Sequence, residues 1–194
     1  MSTKIHNFAN LRCPWGQTRN ELLQNFHDHE WGKITLNDRY LYEMLVLQLF
    51  QSGLNWPVVL NKRDNLRKAF KDFDPRAVAK FSASDVERLM NDQTIIRNRS
   101  KIEAAIKNAR AILTVERNYG SFVKFIQETI PVQVVHHPEI FEDVPTSSDL
   151  SKQLARRMKK YDFFMVGPVI VYSYLQTIGL INDHVDCCPF KFEG

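Results

Sequence analysis

Apolar residues recur along this chain mostly at the three- and four-residue spacing of helices that bury one face. The clearest case begins at Lys101, where positions 102, 105, 106, 109 and 112 place isoleucine and alanine on one side of a long helix. A second helix is predicted after Asp38, and a third, apolar nearly all round, after Gly167-Pro168. We find no strand-turn-strand pattern, and the sequence therefore predicts an all-α fold.

Helix-start signals mark several of the remaining elements. Pro57 stands in the first turn of a helix opened by Asn55-Trp56, and Asp74-Pro75 repeats this arrangement. Ser84-Asp85-Val86-Glu87 has the form of a capping box, in which Ser84 and Glu87 satisfy each other's free N–H groups. Further helices are predicted at about 121–129 and 147–160. Residues 131–145 hold three prolines and an acidic stretch, which indicates an irregular loop.

Composition narrows the class of protein but does not choose a function. The chain has 194 residues, of which 44% are hydrophobic and 25% charged, so disordered and collagen-like classes are excluded. No apolar run approaches the roughly 20 residues of a membrane span, and the first residues lack the apolar stretch of a secretory signal. We therefore expect a cytoplasmic protein with no membrane partner. The net charge of +4 favours a polyanionic partner only weakly.

Cysteine and histidine residues near the two ends of the chain form a candidate metal site. Cys13 and His27 come from one end, and His184 and Cys188 from the other at a spacing of four. Two thiolates and two imidazoles are the ligand set of a closed structural zinc site. Spacing alone favours buried thiols and scattered solvated histidines over a metal site, and it leaves His29 or Cys187 as alternative ligands.

Aromatic residues suggest a slot for a planar base. Trp15, Phe26 and Trp56 are the candidates, with Gln48 and Gln51 as polar neighbours. Aromatic residues more often pack in a core, and for Trp31 we expect that role.

A polar, basic bend between two predicted helices is the candidate contact with a phosphate backbone. It covers residues 93–101 and carries Arg97, Arg99 and Lys101 near the start of the second helix. Free amides at a helix start suit a phosphate. The bend is interpreted as the hairpin of a helix-hairpin-helix motif, although an ordinary turn with solvated charges has the same pattern.

Taken together, these features resemble the DNA-3-methyladenine glycosylase I family of the helix-hairpin-helix superfamily. The motifs that carry the resemblance run in order through most of the chain: Arg12-Cys13-Pro14-Trp15, Phe26-His27-Asp28-His29-Glu30-Trp31-Gly32, Gly53-Leu54-Asn55-Trp56, Val59-Leu60-Asn61-Lys62-Arg63, Phe70 with Asp74-Pro75, Ile95-Ile96-Arg97-Asn98-Arg99, Lys101-Ile102, Asn108-Ala109-Arg110-Ala111, Val166-Gly167-Pro168, and Gly179-Leu180-Ile181-Asn182-Asp183-His184 with Cys188. Only the region 131–145 matches weakly.

The resemblance implies a fold, a metal and a reaction. It implies a helix-hairpin-helix glycosylase fold whose termini are joined by structural Zn²⁺ on Cys13, His27, His184 and Cys188. It also implies a monofunctional enzyme of base excision repair that binds duplex DNA containing alkylated adenine. Such an enzyme extrudes the 3-methyladenine nucleotide and hydrolyses its N-glycosidic bond with water. We expect a monomer that needs no protein partner.

The base pocket is where the chain departs from the family it resembles. Gln48 stands where the family has a base-reading carboxylate, and Phe26 and Leu23 stand where it has tyrosines. Trp56 and Trp15 match the family's tryptophans. The nearest carboxylate, Glu43, is predicted to face another side of its helix. A neutral pocket predicts weakened or shifted activity on 3-methyladenine.

The remaining assignments complete the prediction. Leu54, after Gly53, is the candidate wedge that fills the gap left by the flipped nucleotide. We expect one compact domain, residues 1–194, with a zinc lobe at about 10–37 and 165–190 and a helix-hairpin-helix lobe at about 38–164. Two alternatives stay open: a non-catalytic protein that binds damaged DNA or a free purine, and a zinc-stabilised helical domain with another ligand.

Overall fold

The computed structural model describes residues 11–191, and this part of the chain is mostly helical. Its helices are α1 (Glu21–His29), α2 (Asp38–Gln51), α3 (Trp56–Leu60), α4 (Arg63–Ala69), α5 (Pro75–Val78), α6 (Ala83–Asn91), α7 (Arg99–Tyr119), α8 (Phe122–Gln127), α9 (Asp149–Lys160) and α10 (Pro168–Thr177). Short 3-10 turns lie at Pro14–Gly16, Lys71–Phe73 and Phe141–Asp143. Two-residue strands, β1 (Val134–Val135) and β2 (Ile181–Asn182), are the β-structure of the described residues.

The α2 helix lies at the centre of the packing. All ten residues from 41 to 50 are buried, and the helix packs against α3, α7, α8 and α10. Ten consecutive buried positions cover every side of a helix, so its neighbours surround it. The α10 helix packs against α2 and α9, in agreement with its apolar sequence.

The long helix predicted from the apolar spacing is confirmed as α7. It begins after Asn98, whose side chain accepts a hydrogen bond from the backbone N–H of Lys101. Its predicted apolar face is buried. The helix ends at Gly120, which adopts φ 88°, a left-handed conformation that glycine reaches without steric cost.

The capping box at the start of α6 lies two residues earlier than predicted. The cap is Ser82, and the Asp85 carboxylate accepts a hydrogen bond of 2.9 Å from the Ser82 backbone N–H. Ser84 already lies within the first turn, and Glu87 forms an ion pair with Arg99 at 2.8 Å. Both serines precede an acidic residue by three positions, so the sequence pattern alone did not distinguish the two boxes.

Among the described residues, the all-helical prediction is contradicted by a short strand pair, of which β1 lies in the predicted irregular segment. β1 pairs in parallel with β2, and the Val134 N–H donates to the Leu180 carbonyl at 2.9 Å. Strands of two residues carry no alternation of apolar and polar positions, and only tertiary contact reveals them.

Backbone contacts join the two ends of the described chain. The Gly32 N–H donates to the Gln176 carbonyl at 2.9 Å, and the Thr35 N–H donates to the Ile178 carbonyl at 3.2 Å. These contacts hold the segment after α1 against the end of α10. The division into two lobes stays a prediction, and its bound at residue 10 lies outside the described residues. Within residues 11–191, no helix combines the length and apolarity needed to cross a membrane.

Candidate functional site

A cavity of about 430 Å³ opens between the 3-10 turn at Pro14–Gly16 and helices α1, α2, α3 and α10. This volume falls within the range of small-molecule sites. Its lining is aromatic and polar: Trp15, Leu23, Phe26, Trp31, Gln48, Gln51, Asn55, Trp56, Pro57, Phe141, Ser173, Gln176 and Thr177. The structure thus brings the predicted aromatic set and Gln48 together, and it adds residues of α10 that the sequence reasoning missed.

The aromatic rings of the cavity wall meet edge to face. The Phe26 and Trp56 ring centroids are 5.1 Å apart, and those of Trp15 and Trp31 are 5.0 Å apart at 89°. Such contacts hold bulky rings in place and leave broad apolar faces for a planar ligand. Trp31 is buried as expected, but it also lines the cavity and is more than a packing residue.

The polar part of the wall carries no charge among the described residues. Gln48 is buried, and its Nε2 donates to the Thr177 Oγ1 at 2.7 Å. Glu43, the nearest acidic residue of α2, lies outside the cavity lining and pairs instead with Arg63 at 2.6 Å and Arg67 at 2.8 Å. The cavity can therefore recognise a ligand by stacking and by neutral hydrogen bonds.

The bend between α6 and α7 presents two of its three predicted cations to solvent. Arg97 and Arg99 are exposed, and Arg99 pairs with Glu87. Lys101 differs from the prediction: its side chain is buried, and its Nζ donates to the Phe50 carbonyl at 2.9 Å and to the Ser52 carbonyl.

This lysine therefore caps the C-terminal end of α2, where carbonyl groups carry partial negative charge. Burial lowers the pKa of its ammonium group. The phosphate contact predicted for the Lys101 side chain is corrected, because that side chain is directed into the protein.

The turn that follows α2 lies beside the cavity. Gly53 adopts φ +76°, which favours glycine, and Leu54 is 40% exposed. A large apolar side chain on an exposed turn next to an aromatic cavity has the placement of a wedge. The wedge role itself stays a prediction.

A basic groove that the sequence reasoning did not find lies between α7 and the turn of a second helix-turn-helix, α9–turn–α10. The groove has a volume of about 800 Å³, and its charged lining consists of Lys107 and Arg110 from α7, Lys159 from α9, and Asp162 from the turn at residues 161–167. Phe164 is 46% exposed there, and the Lys107 Nζ lies 4.7 Å from its ring centroid. The available signal in the sequence was the Lys159-Lys160 pair before Gly167-Pro168.

Cys13, His27, His184 and Cys188 form a buried cluster in which one ligand atom of each lies within 4.8 Å of the others. His184 Nδ1 lies 3.5 Å from Cys13 Sγ and 3.3 Å from Cys188 Sγ, and His27 Nε2 lies 3.8 Å from Cys188 Sγ. These four residues could hold a metal ion. The alternative ligands are excluded by position, because His29 and Cys187 are both exposed.

The second ring nitrogen of each cluster histidine has its own partner. His27 Nδ1 bonds to the Asp28 carboxylate at 2.7 Å, and His184 Nε2 bonds to the Trp31 carbonyl at 3.1 Å. Arg12 holds the Asp28 carboxylate from the other side at 3.0 Å. Such outer partners orient imidazoles so that His27 Nε2 and His184 Nδ1 face the cluster.

The cluster also favours a thiolate. A hydrogen bond with the Cys13 thiol, together with those from His184 and His27, lowers the pKa of Cys188 well below its usual range despite burial. A metal binds thiolates rather than thiols.

Comparison with known proteins shows which family the chain belongs to. The family model described as methyladenine glycosylase matches residues 15–192. The chain belongs to the methyladenine glycosylase family. The resemblance predicted from its motifs is confirmed, and with it the predicted enzyme class, a glycosylase.

Individual relatives of this methyladenine glycosylase agree in sequence and in fold. DNA-3-methyladenine glycosylase 1 of Escherichia coli (strain K12) is 42% identical over 185 residues, which cover 92% of this chain and 96% of the relative. The structure of 3-methyladenine DNA glycosylase I from Staphylococcus aureus superposes with a TM-score of 0.90 at 34% identity, over 93% of this chain and 96% of that one. A tyrosine-to-phenylalanine variant of 3-methyladenine DNA glycosylase I, in complex with 3-methyladenine, gives a TM-score of 0.88 at 36% identity, over 91% and 95% of the two chains.

Proposed function

We propose that this chain removes 3-methyladenine and related N3-alkylated adenines from duplex DNA by hydrolysing the N-glycosidic bond. The observation that carries the proposal is the cavity itself, an aromatic slot with two buried amides, Gln48 and Gln176, in a member of the methyladenine glycosylase family. Its relatives are named for this activity, and one has been crystallised with 3-methyladenine. The proposal places this activity in base excision repair.

The reaction makes modest demands on the protein. Alkylation at N3 gives the purine a positive charge, which already weakens the bond to the sugar. The enzyme then needs to extrude the nucleotide, hold the base and stabilise an oxocarbenium-like sugar while water attacks. In this chain Trp56 and Phe26 offer stacking faces, and Gln48 offers hydrogen bonds to the purine edge. No lysine lies in the described lining, which agrees with a monofunctional glycosylase that forms no Schiff base.

The neutral lining supports a quantitative difference from relatives with a carboxylate in the pocket. A hydrogen bond to a charged group contributes about 1.5–3 kcal/mol, against about 0.5–1.5 kcal/mol for a neutral one. We therefore propose that discrimination in favour of the cationic base is weaker here, and that stacking carries a larger share of binding.

Duplex DNA is the proposed macromolecular partner. Leu54 would fill the gap left by the extruded nucleotide, with Gly53 shaping the turn. Arg97 and Arg99 would contact the phosphate backbone, together with the basic groove beside α9 and α10. Such contacts make the affinity for DNA fall steeply as salt rises. The chain is proposed to act as a monomer.

The test of this function is release of 3-methyladenine from methylated duplex DNA. Trp56→Ala should reduce the single-turnover rate by about 5- to 150-fold, since stacking contributes roughly 1–3 kcal/mol per base. Val58→Ala, an exposed position on the same helix, is the matched control and should keep the wild-type rate. Absence of release by the wild-type protein would refute the proposal, and an unchanged rate in Trp56→Ala would refute the role of the cavity.

We also propose that the cluster of cysteines and histidines holds a structural Zn²⁺. A tetrahedral site with bonds of about 2.3 Å to sulfur and about 2.0–2.1 Å to nitrogen separates S and N ligands by about 3.6 Å. Three of the four S···N distances in the cluster, 3.3, 3.5 and 3.8 Å, lie around this value. Four protein ligands complete the shell, so the ion would tie residues 13 and 27 to residues 184 and 188 and leave no position for water.

Adjacent cysteines provide a matched test of the metal. Cys188→Ser should lose the bound zinc, measured as metal per chain by plasma mass spectrometry, and should melt at a lower temperature. Cys187→Ser changes an exposed thiol beside it and should keep both. Equal zinc content in the two variants would contradict the assignment.

A further inference from the structure

The polar end of the cavity contains a chain of two hydrogen bonds between α2 and α10. Gln48 Nε2 donates to Thr177 Oγ1 at 2.7 Å, and Thr177 Oγ1 donates to the Ser173 carbonyl, one turn earlier in α10, at 2.8 Å. Gln48 and Thr177 are 6% and 1% exposed, so water competes little for either bond. All three residues line the cavity.

The single proton of the Thr177 hydroxyl determines which way the Gln48 amide turns. Because that proton is donated to Ser173, the Thr177 oxygen can only accept from Gln48. The NH₂ group of the amide must then face Thr177. The Oε1 atom accepts no hydrogen bond from the residues that the structure describes, and the amide lies in the cavity wall. A ligand can therefore reach Oε1 as an acceptor and the second N–H of Nε2 as a donor.

This pair of groups matches one class of purine. Glutamine binds the edge of adenine in two places, because its oxygen accepts from the N6 amino group while its N–H donates to N7. In a 6-oxopurine methylated at N3 the free base keeps its proton on the imidazole ring, so with that proton at N7 the edge presents an acceptor, O6, beside a donor, N7–H. This order is the reverse of adenine, so the edge opposes the Gln48 amide at both positions and fits it only if the amide turns over.

We propose that Thr177 is a positioning residue that locks the Gln48 amide, and that the lock makes the cavity select 6-aminopurines against 6-oxopurines. The inference rests on the proposed function in taking a purine as the ligand. It adds which edge of the purine Gln48 contacts and which residue fixes the orientation of the Gln48 amide. Thr177 acts through Gln48 and is not assigned a direct contact with the base.

The preference for one orientation of the Gln48 amide can be measured. If the amide turned over, Oε1 would face the Thr177 oxygen, and the hydroxyl would have to abandon Ser173 to restore a hydrogen bond. Loss of one neutral hydrogen bond corresponds to about a tenfold change in an equilibrium. Without the hydroxyl, both orientations of the amide become similar in energy, and a 6-oxopurine can be bound by the turned amide.

The test compares two matched free bases, 3-methyladenine and 3-methylhypoxanthine, by calorimetric titration. The wild-type protein should bind 3-methyladenine at least about tenfold more tightly. Thr177→Val keeps the shape and removes the hydroxyl, so the ratio of the two dissociation constants should fall about tenfold, mainly through tighter binding of 3-methylhypoxanthine. Thr177→Ser restores the hydroxyl and should restore the ratio.

The ratio separates positioning from a loss of packing, which would weaken both bases alike. A wild-type ratio near one, an unchanged ratio in Thr177→Val, or failure of the wild-type protein to bind either base would overturn the inference. If Thr177→Val does not fold, an altered ratio in Thr177→Ser overturns it and a preserved ratio supports it. Selective binding without release of base from methylated DNA would refute the proposed function but would still support the positioning role of Thr177.

Discussion

Restoring a carboxylate at position 48 is the most direct test of how charge governs this pocket. In the wild-type structure the Gln48 amide donates to Thr177, and no charged side chain among the described residues lines the cavity. The change Gln48→Glu replaces a donor and acceptor with an acceptor bearing negative charge. It should favour the cationic N3-methylated nucleotide over any neutral base.

Two opposing contributions set the expected magnitude. A carboxylate about 5 Å from the charged purine gains about 3 kcal/mol at an effective dielectric constant of about 20. The hydrogen bond that the amide gives to Thr177 is lost, which costs about 1 kcal/mol. The net gain of about 2 kcal/mol corresponds to roughly 30-fold tighter binding of the extruded cationic base, which raises the single-turnover rate of base release by the same factor while the enzyme is below saturation.

The pH profile provides an independent check on this explanation. Burial raises the pKa of a carboxyl group, so the new side chain should titrate in mildly acidic solution. The rate gain should be present above that pKa and lost as the pH falls through it. For the same reason the variant should melt at a lower temperature than wild type at neutral pH, where folding has to bury the charge.

The assay is release of radiolabelled 3-methyladenine from methylated duplex DNA under single-turnover conditions, at neutral and at mildly acidic pH. Gln51→Glu is the matched control, because Gln51 also lines the cavity but is only half-buried, and solvent should screen its charge. A wild-type rate at both pH values, or an equal gain in the control, would refute the reasoning.

Three further predictions concern folding and are checked by chemical denaturation. Asp85→Ala should lower the free energy of unfolding by about 1 kcal/mol through loss of the α6 cap, whereas Glu87→Ala should change it by less than about 0.5 kcal/mol. The hydrogen bond from the Ser82 backbone N–H lowers the pKa of Asp85 in the folded protein. The loss of unfolding free energy in Asp85→Ala should therefore reach its full value above the pKa of Asp85 in the unfolded chain and disappear as the pH falls through its pKa in the folded protein. Gly179→Ala should cost roughly 3 kcal/mol or more, since the glycine has φ +77° and a Cβ would lie 2.0 Å from backbone carbon. Tyr42→Phe should cost about 1 kcal/mol because its buried hydroxyl donates to an α7 carbonyl at 2.9 Å, while Tyr174→Phe should cost nothing, because its hydroxyl has no partner among the described residues.

Local interactions explain why so many helices could be predicted from the sequence. The face of α7 depends on contacts between residues three and four positions apart, and Pro57 and Pro75 mark helix starts wherever the rest of the chain lies. The residue types of the site could also be recognised in the sequence, because the chemical properties of thiols, imidazoles and large aromatic rings do not depend on the fold. Spacing alone nevertheless left His29 and Cys187 as alternatives to the ligands of the metal cluster.

Contacts between distant segments were decided only by the tertiary structure. Lys101 has the sequence context of a phosphate contact, yet packing of α7 against α2 buries its ammonium group among carbonyl oxygens. Thr177 has no signal of its own in the sequence, and it gains its importance because α10 places its hydroxyl against Gln48, 129 positions away along the chain. Helix periodicity is a property of neighbours in sequence, whereas the partner of a buried polar group depends on how whole helices pack. The orientation of the Gln48 amide is therefore a consequence of the fold.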